Sequence, residues 1–121
     1  VDGGSGDDTV DGGAGNDLLF GREGNDVMAG AAGNDVMIGG EGNDVMNGGL
    51  GNDTMTGNEG GDRFVFASGR DVITDFEGGD DDLDLSALSS VISFSEAMAR
   101  ATQQGDDVVF NFAEGRLTLQ D

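Results

Sequence analysis

"GGEGNDVMNGGLGNDTMTG", residues 39–57, runs through one nine-residue pattern twice, with Gly, Gly, Asn, Asp and Met at the same offsets. Extending the pattern in both directions, with Gly3 as position 1, gives seven units that follow one another without a gap to Val65. Position 1 is always Gly (Gly3, Gly12, Gly21, Gly30, Gly39, Gly48, Gly57), and position 4 is always Gly (Gly6, Gly15, Gly24, Gly33, Gly42, Gly51, Gly60). Position 6 is always Asp: Asp8, Asp17, Asp26, Asp35, Asp44, Asp53 and Asp62. Position 5 is Asn except for Asp7 and Gly61 in the first and last units. Position 8 is apolar: Val10, Leu19, Met28, Met37, Met46, Met55 and Phe64. Val1 and Asp2 fit positions 8 and 9 of an earlier unit, and the chain lacks an initiator Met. It therefore reads as a module of something longer.

Each column has a physical reading. Gly at positions 1 and 4 is expected to take positive φ and to let backbone approach backbone. Asn at position 5 is among the few other residues that tolerate the left-handed region. Positions 1–6 are then a tight turn, and positions 7–9 a short strand whose middle side chain points inward. Turn and strand alternating at a fixed period predict an all-β solenoid of short parallel strands. Such an array is poorly equipped to fold alone. One inward side chain per nine residues makes a thin core, and 19 of residues 3–65 are glycines, which lose the most freedom on ordering. The stacked aspartates also repel, so something must bind them.

The chemistry of that ligand follows from the donors. Carboxylates beside open backbone carbonyls are hard oxygen ligands. Calcium takes six to eight of these at about 2.3–2.6 Å with loose geometry, whereas magnesium wants a strict octahedron. Zinc and copper favour His or Cys, and the chain has neither. Residues 3–65 carry 12 acids and 2 arginines, a net charge of -10, which about five divalent ions would cancel. Over the whole chain 25 acids face 5 arginines, for a formal net charge of -20. Such a surface repels nucleic acid and anionic membranes, so no nucleic-acid partner is expected. There is no bilayer-length apolar run and no signal peptide at the start, so no membrane insertion is expected either. The glycine loops are not phosphate cradles: no Lys follows them and each carries an Asp. Position 3 reads Ser, Ala, Glu, Ala, Glu, Leu, Glu, which is no lattice-matching Thr or Asn ladder. Without His there is no zinc-protease motif, and ion-neutralised carboxylates on convex loops make poor acid–base catalysts. No catalytic site and no organic cofactor are expected.

The pattern Gly-Gly-x-Gly-x-Asp-x-apolar-x, as in "GGEGNDVMN" at 39–47, resembles the calcium-binding nonapeptide of the RTX (repeats-in-toxin) family. Arg22, Ala31 and Asn58 depart from it at the second Gly, and Gly61 at the Asn. The resemblance implies a parallel β-roll over residues 1–65, with two nonapeptides per turn. Ions would sit between a loop and the loop 18 residues later. Their ligands would be the position-6 carboxylates together with loop carbonyls of Gly4, Gly6, Gly13, Gly15, Gly24, Gly33, Gly40, Gly42, Gly49, Gly51 and Gly60. One edge would stack Asp8, Asp26, Asp44 and Asp62, the other Asp17, Asp35 and Asp53, for about five or more Ca2+ ions. Met28 and Met46 would line one sheet, Met37 and Met55 the other. Of the two outer faces, that with Leu18, Phe20, Val36 and Ile38 is the more apolar and reads as a contact surface.

Residues 66–121 leave the period and are expected to form a small β-rich cap containing one helix. "FVFASGRDVITDFEGGDDDLDLSAL", residues 64–88, resembles the segment that follows the repeats in RTX proteins, especially in serralysin-type secreted proteases. Strands are expected at 64–66 and 71–76. The capping box Ser93-Phe94-Ser95-Glu96 is expected to open a helix ending near Gly105. Val108, Phe110 and Phe112, a turn at Gly115, then Leu117 and Leu119 read as a hairpin. Asp71, Asp75, Asp80, Asp82 and Asp84 either hold an extra ion or form a solvated acidic loop. They are no EF-hand, because Leu85 and Val91 stand where Gly and Glu are required. The resemblance implies a non-enzymatic, calcium-binding module of a larger bacterial protein, secreted by a type I system and folding on calcium outside the cell. Its partners would be calcium, an upstream domain of the same protein and the secretion machinery. A longer adhesin or surface-layer array, or a secreted hydrolase such as a serralysin-like metalloprotease with its catalytic domain upstream, would suit the same residues.

Overall fold

A computed structural model describes residues 1–88, Ala97 and 100–120. The repeats form strands β1 (Asp2–Ser5), β2 (Thr9–Asp11), β3 (Leu18–Glu23), β4 (Val27–Ala32), β5 (Val36–Glu41), β6 (Val45–Leu50), β7 (Thr54–Glu59) and β8 (Arg63–Val65). Beyond them lie β9 (Gly69–Ile73), β10 (Asp82–Asp84), β11 (Ala101–Gln104), β12 (Asp107–Asn111) and β13 (Gly115–Leu119). The strands β3 to β7 are twice the expected length. Positions 7–9 of one unit run on into positions 1–3 of the next, and only positions 4–6 turn.

From β1 to β10 odd strands and even strands lie in different sheets, and β11 to β13 all join the odd one. One sheet has the order β1-β3-β5-β7-β9-β13-β12-β11, the other β10-β8-β6-β4-β2. Within the repeats every pairing is parallel with an offset of 18 residues, as in Leu18↔Val36 and Val27↔Val45. Two nonapeptides therefore make one turn of a parallel β-roll. Loops that carry the chain from the odd to the even sheet stack along a first edge. Loops returning it stack along a second.

The position-8 column fills the space between the sheets. Val10, Leu19, Met28, Met37, Met46, Met55 and Phe64 are all buried, and the methionines alternate between sheets as their spacing requires. Unbranched Met suits a core one side chain deep, because it adjusts to the gap it is given. On the outer face of the odd sheet Leu18 is 49% exposed and Val36 40%. Among the described residues no helix is long and apolar enough to cross a membrane.

The backbone corrects two readings. Positive φ falls at positions 2 and 4, not 1 and 4, and the Asn at position 5 does not adopt it. Arg22, Ala31 and Asn58 are the non-Gly residues found there, with φ of 92°, 76° and 72°. Gly at position 1 is needed for space instead. A methyl on Gly57 would lie 2.0 Å from Asp62 Oδ2 and 3.1 Å from the Phe64 ring.

The period also runs further than the sequence reading had it. Residues 66–74 form an eighth unit, with Phe66 in place of the first Gly but Gly69, Asp71 and Ile73 at positions 4, 6 and 8. Its strand β9 continues the register, with Thr54↔Val72 and Met55↔Ile73. β10 then pairs with β8 at an offset of 19, as in Arg63↔Asp82, so one residue has been inserted. The expected hairpin is present as β12 and β13, and β13 docks parallel on β9. Phe66, Phe110 and Phe112 close this end of the core, with ring centroids 5.7 Å apart for Phe66–Phe112 and 5.8 Å for Phe110–Phe112. The capping box at residues 93–96 lies outside the described residues. Residues 101–104, which the sequence places in a helix ending near Gly105, are strand β11, paired antiparallel with β12. β12 supplies the backbone partner that makes these residues a strand.

Candidate metal centre

Along each edge the position-6 aspartates form a ladder. The Oδ1 of Asp26 accepts the backbone N–H of Asp8, that of Asp44 the N–H of Asp26, and that of Asp62 the N–H of Asp44, at 2.8–2.9 Å. On the second edge Asp35, Asp53 and Asp71 accept in the same way from Asp17, Asp35 and Asp53, at 2.8–3.0 Å. Each carboxylate thus reaches back one full turn. The other oxygen is left over. Oδ2 of Asp8, Asp17, Asp26, Asp35, Asp44, Asp53, Asp62 and Asp71 is buried without a hydrogen-bond partner. Asp26, Asp35, Asp44, Asp53, Asp62 and Asp71 are each only 1% exposed.

A buried, unpartnered carboxylate oxygen costs several kcal/mol unless something meets it, on the order of 1–3 for a neutral group and more for a charged one. The titration behaviour shows the strain. Burial, offset in part by the backbone hydrogen bond and reinforced by the next carboxylate, raises Asp44 and Asp53 above the usual range. It pushes Asp62 up to about 6 and Asp71 to about 7. The like-charged neighbours of Asp62 include Asp81 and Asp75.

Glycine carbonyls lie along the same edges. A methyl on Gly24, Gly33, Gly42, Gly51, Gly60 or Gly69 would meet the position-4 carbonyl oxygen of the preceding turn, at 1.5–2.4 Å. So the carbonyls of Gly6, Gly15, Gly24, Gly33, Gly42 and Gly51 face the loop 18 residues on. The position-2 carbonyls of Arg22 and Ala31 face Gly40 and Gly49 in the same way, and that of Gly13 already accepts from Ala32 at 3.0 Å. Gly4, Gly40 and Gly49 share position 2 with Gly13, and Gly60 closes the position-4 series of the first edge. Among the described residues no three acidic side chains converge on one point. The gaps therefore offer at most two carboxylates each, beside position-4 carbonyls: buried, hard and electrically unbalanced. That set fits calcium and does not fit zinc.

Position 5 carries a second ladder that runs the opposite way. Asn25, Asn34 and Asn43 accept through Oδ1 from the N–H of Asn43, Asn52 and Gly61, at 2.8–2.9 Å. Asp7 and Asn16 do so for Asn25 and Asn34, and Asn52 for Arg70. The Asn column is thus a clamp between turns, a role the residue type alone does not reveal.

The acidic tail divides. Asp71 joins the second edge. Asp81, which the sequence reading passed over, joins the first: its Oδ1 accepts from Asp62 and its Oδ2 from Glu77. The signal was Gly79-x-Asp81-x-Leu83, which keeps the spacing of positions 4, 6 and 8. Asp75 caps the loop at Gly57 and Asn58 through both oxygens. Asp84 is held down at about 2, first by its bonds to Ser86 and then by Arg63. Asp80 and Asp82 are exposed.

Comparison with known proteins bears on this geometry. No curated protein matches the chain. Among solved structures it is similar to the AlgE6R3 subunit of the mannuronan C5-epimerase of Azotobacter vinelandii, studied in solution. The two are 27% identical over 96% of this chain and 71% of that one, with a TM-score of 0.42. The serralysin-type resemblance of the tail finds no support in these comparisons. The family description "RTX calcium-binding nonapeptide repeat (4 copies)" matches residues 2–37 and again 38–73, more than half of the sequence. The ladder of orphaned carboxylates is thus carried by a chain that belongs to the RTX calcium-binding nonapeptide repeat family.

Proposed function

We propose that this chain is a calcium-driven folding module, with ions held in the gaps between successive loops of each edge. The observation that carries the reading is the set of buried, unpartnered Oδ2 atoms. Six gaps lie between aspartates already bonded across a turn: Asp8–Asp26, Asp26–Asp44 and Asp44–Asp62 on the first edge, and Asp17–Asp35, Asp35–Asp53 and Asp53–Asp71 on the second. Each gap is assigned one calcium, with position-4 carbonyls as the main further ligands. The Asp62–Asp81 gap is the poorer one, because both oxygens of Asp81 already accept hydrogen bonds. Ions in a row would be spaced as the strands are, about 4.8 Å apart.

Coupling of ion binding to folding has a further consequence. Extracellular calcium modules bind with Kd of about 0.1–1 mM. A chain of that affinity stays unfolded in a calcium-poor cytosol and folds after export, as suits a part of a larger bacterial protein leaving through a type I system. In that setting the chain contributes structure, and any catalytic domain lies elsewhere in the parent. A calcium titration followed by far-UV circular dichroism, with equilibrium dialysis for the ion count, tests both parts. The expected result is a disordered chain in chelator, a β-sheet signal at millimolar calcium and about six ions bound. A fully folded chain in chelator overturns the folding module. A midpoint of about 10 nM, the range of cytosolic calcium buffers, would have the chain folded before export and removes the secretion reading.

A further inference from the structure

The two edges carry the same ligands in different electrical surroundings. On the first edge, Glu23, Glu41 and Glu59 end β3, β5 and β7 in direct register, Glu23↔Glu41 and Glu41↔Glu59. All three are exposed. Each stands three residues before a buried ladder aspartate, Asp26, Asp44 or Asp62, and so within about 10 Å of it along the chain. Like charges on adjacent strands oppose the pairing, so the column is held at a cost. On the second edge the same position holds Ala14, Ala32 and Leu50, also in register and also exposed. The unpartnered Oδ2 atoms mark ligand sites equally on both edges. From Asp8 to Asp62 on one edge and Asp17 to Asp71 on the other the ladder bonds match, and the field around them differs.

We propose that the two rows are unequal, with the Glu23–Glu41–Glu59 column drawing calcium into the first-edge row at lower concentration. The inference rests on the calcium reading above. A six-residue strand separates the edges by about 20 Å. That exceeds the screening length of about 8 Å at 0.15 M salt, so the column acts on its own row alone. Three exposed carboxylates near a divalent ion, partly screened, give the first row an advantage of about fivefold in affinity. The advantage vanishes at 1 M salt, where the screening length is about 3 Å.

The test is a set of calcium isotherms on the full chain by equilibrium dialysis, in 0.15 M and 1 M NaCl. The variants are Glu23→Gln/Glu41→Gln/Glu59→Gln and, as its mirror, Ala14→Glu/Ala32→Glu/Leu50→Glu. In 0.15 M salt the unmodified chain should show two classes of site that converge at 1 M. The Gln variant should weaken the tighter class about fivefold at 0.15 M and leave the 1 M isotherm unchanged. The mirror variant should tighten the weaker class. Superimposed isotherms of the unmodified chain and the Gln variant at 0.15 M, with full ion uptake, overturn the inequality of the rows and leave the calcium reading standing. A shift that persists undiminished at 1 M overturns the electrostatic cause. Absence of calcium uptake by the unmodified chain overturns the calcium reading and this inference with it.

Discussion

At the scale of single residues, aspartates of one column are not interchangeable. Asp44 accepts from Asp26 N–H and donates its own N–H to Asp62, so Asp44→Ala leaves a buried amide without an acceptor and two gaps short of a carboxylate. Asp8 accepts from no amide among the described residues and borders one gap. Removing Asp44 should therefore cost about 1–3 kcal/mol more than removing Asp8. The calcium midpoint in circular dichroism should rise for both and further for Asp44→Ala, and equal midpoints would mean that carboxylates are not shared between gaps. Glycine positions separate into two kinds by the same logic. Gly57→Ala pushes a methyl into Asp62 and Phe64, and should cost about 3 kcal/mol or prevent folding. Ala31→Gly relieves a residue held at φ 76° and should raise the thermal midpoint in saturating calcium, by about 0.5 kcal/mol in stability. The sequence showed which columns exist, because identical residues recur at one spacing. It did not show which glycines are bent and which are crowded, since both needs select the same residue.

At the scale of strands and columns, burial sets the pH dependence. Folded Asp62 titrates at about 6 and Asp71 at about 7, above the ordinary 3.8, so the folded chain holds protons that the unfolded chain has shed. Without cation, stability then falls as pH rises from about 4 to about 7, the reverse of an ordinary ion-paired carboxylate. In chelator the sheet signal should increase on acidification from pH 7 to pH 5. In calcium the dependence turns over, because protons compete for the same oxygens, and the calcium midpoint should rise as pH falls through that window. A midpoint independent of pH between 5 and 7 would count against buried carboxylates as ligands. The closing strands make a separate prediction. Phe66 is fully buried against Phe112, and Phe66→Ala should lose about 3–5 kcal/mol at saturating calcium, read from the melting curve. The strands of the roll and the β12–β13 hairpin were legible as periods of nine and of two. β11 was not, because Ala101–Gln104 carries no alternation of its own and is a strand only by virtue of β12 beside it.

At the scale of the whole molecule, the proposed function makes calcium and fold stand or fall together. The core is one side chain thick, the net charge is -20, and eight carboxylate oxygens are buried unpartnered. The roll's periodic part could be read from its repeats, whereas its far end depends on contacts between segments distant in sequence, such as β9 with β13. That end has a bearing on how copies of the protein behave together. In a repeating roll each turn presents the next with a ready row of backbone donors and acceptors, and exposed strand edges of this kind are where separate chains join into fibrils. Here the odd sheet switches from parallel to antiparallel between β13 and β12, and its last strand, β11, exposes Gln103 and Gln104. The even sheet stops at β10, three residues bearing Asp82 and Asp84. A second molecule arriving at this end finds no continuation of the 18-residue lattice: it meets an antiparallel strand in one sheet and a short acidic one in the other, so units alike enough to polymerise have no matching register to template one another there.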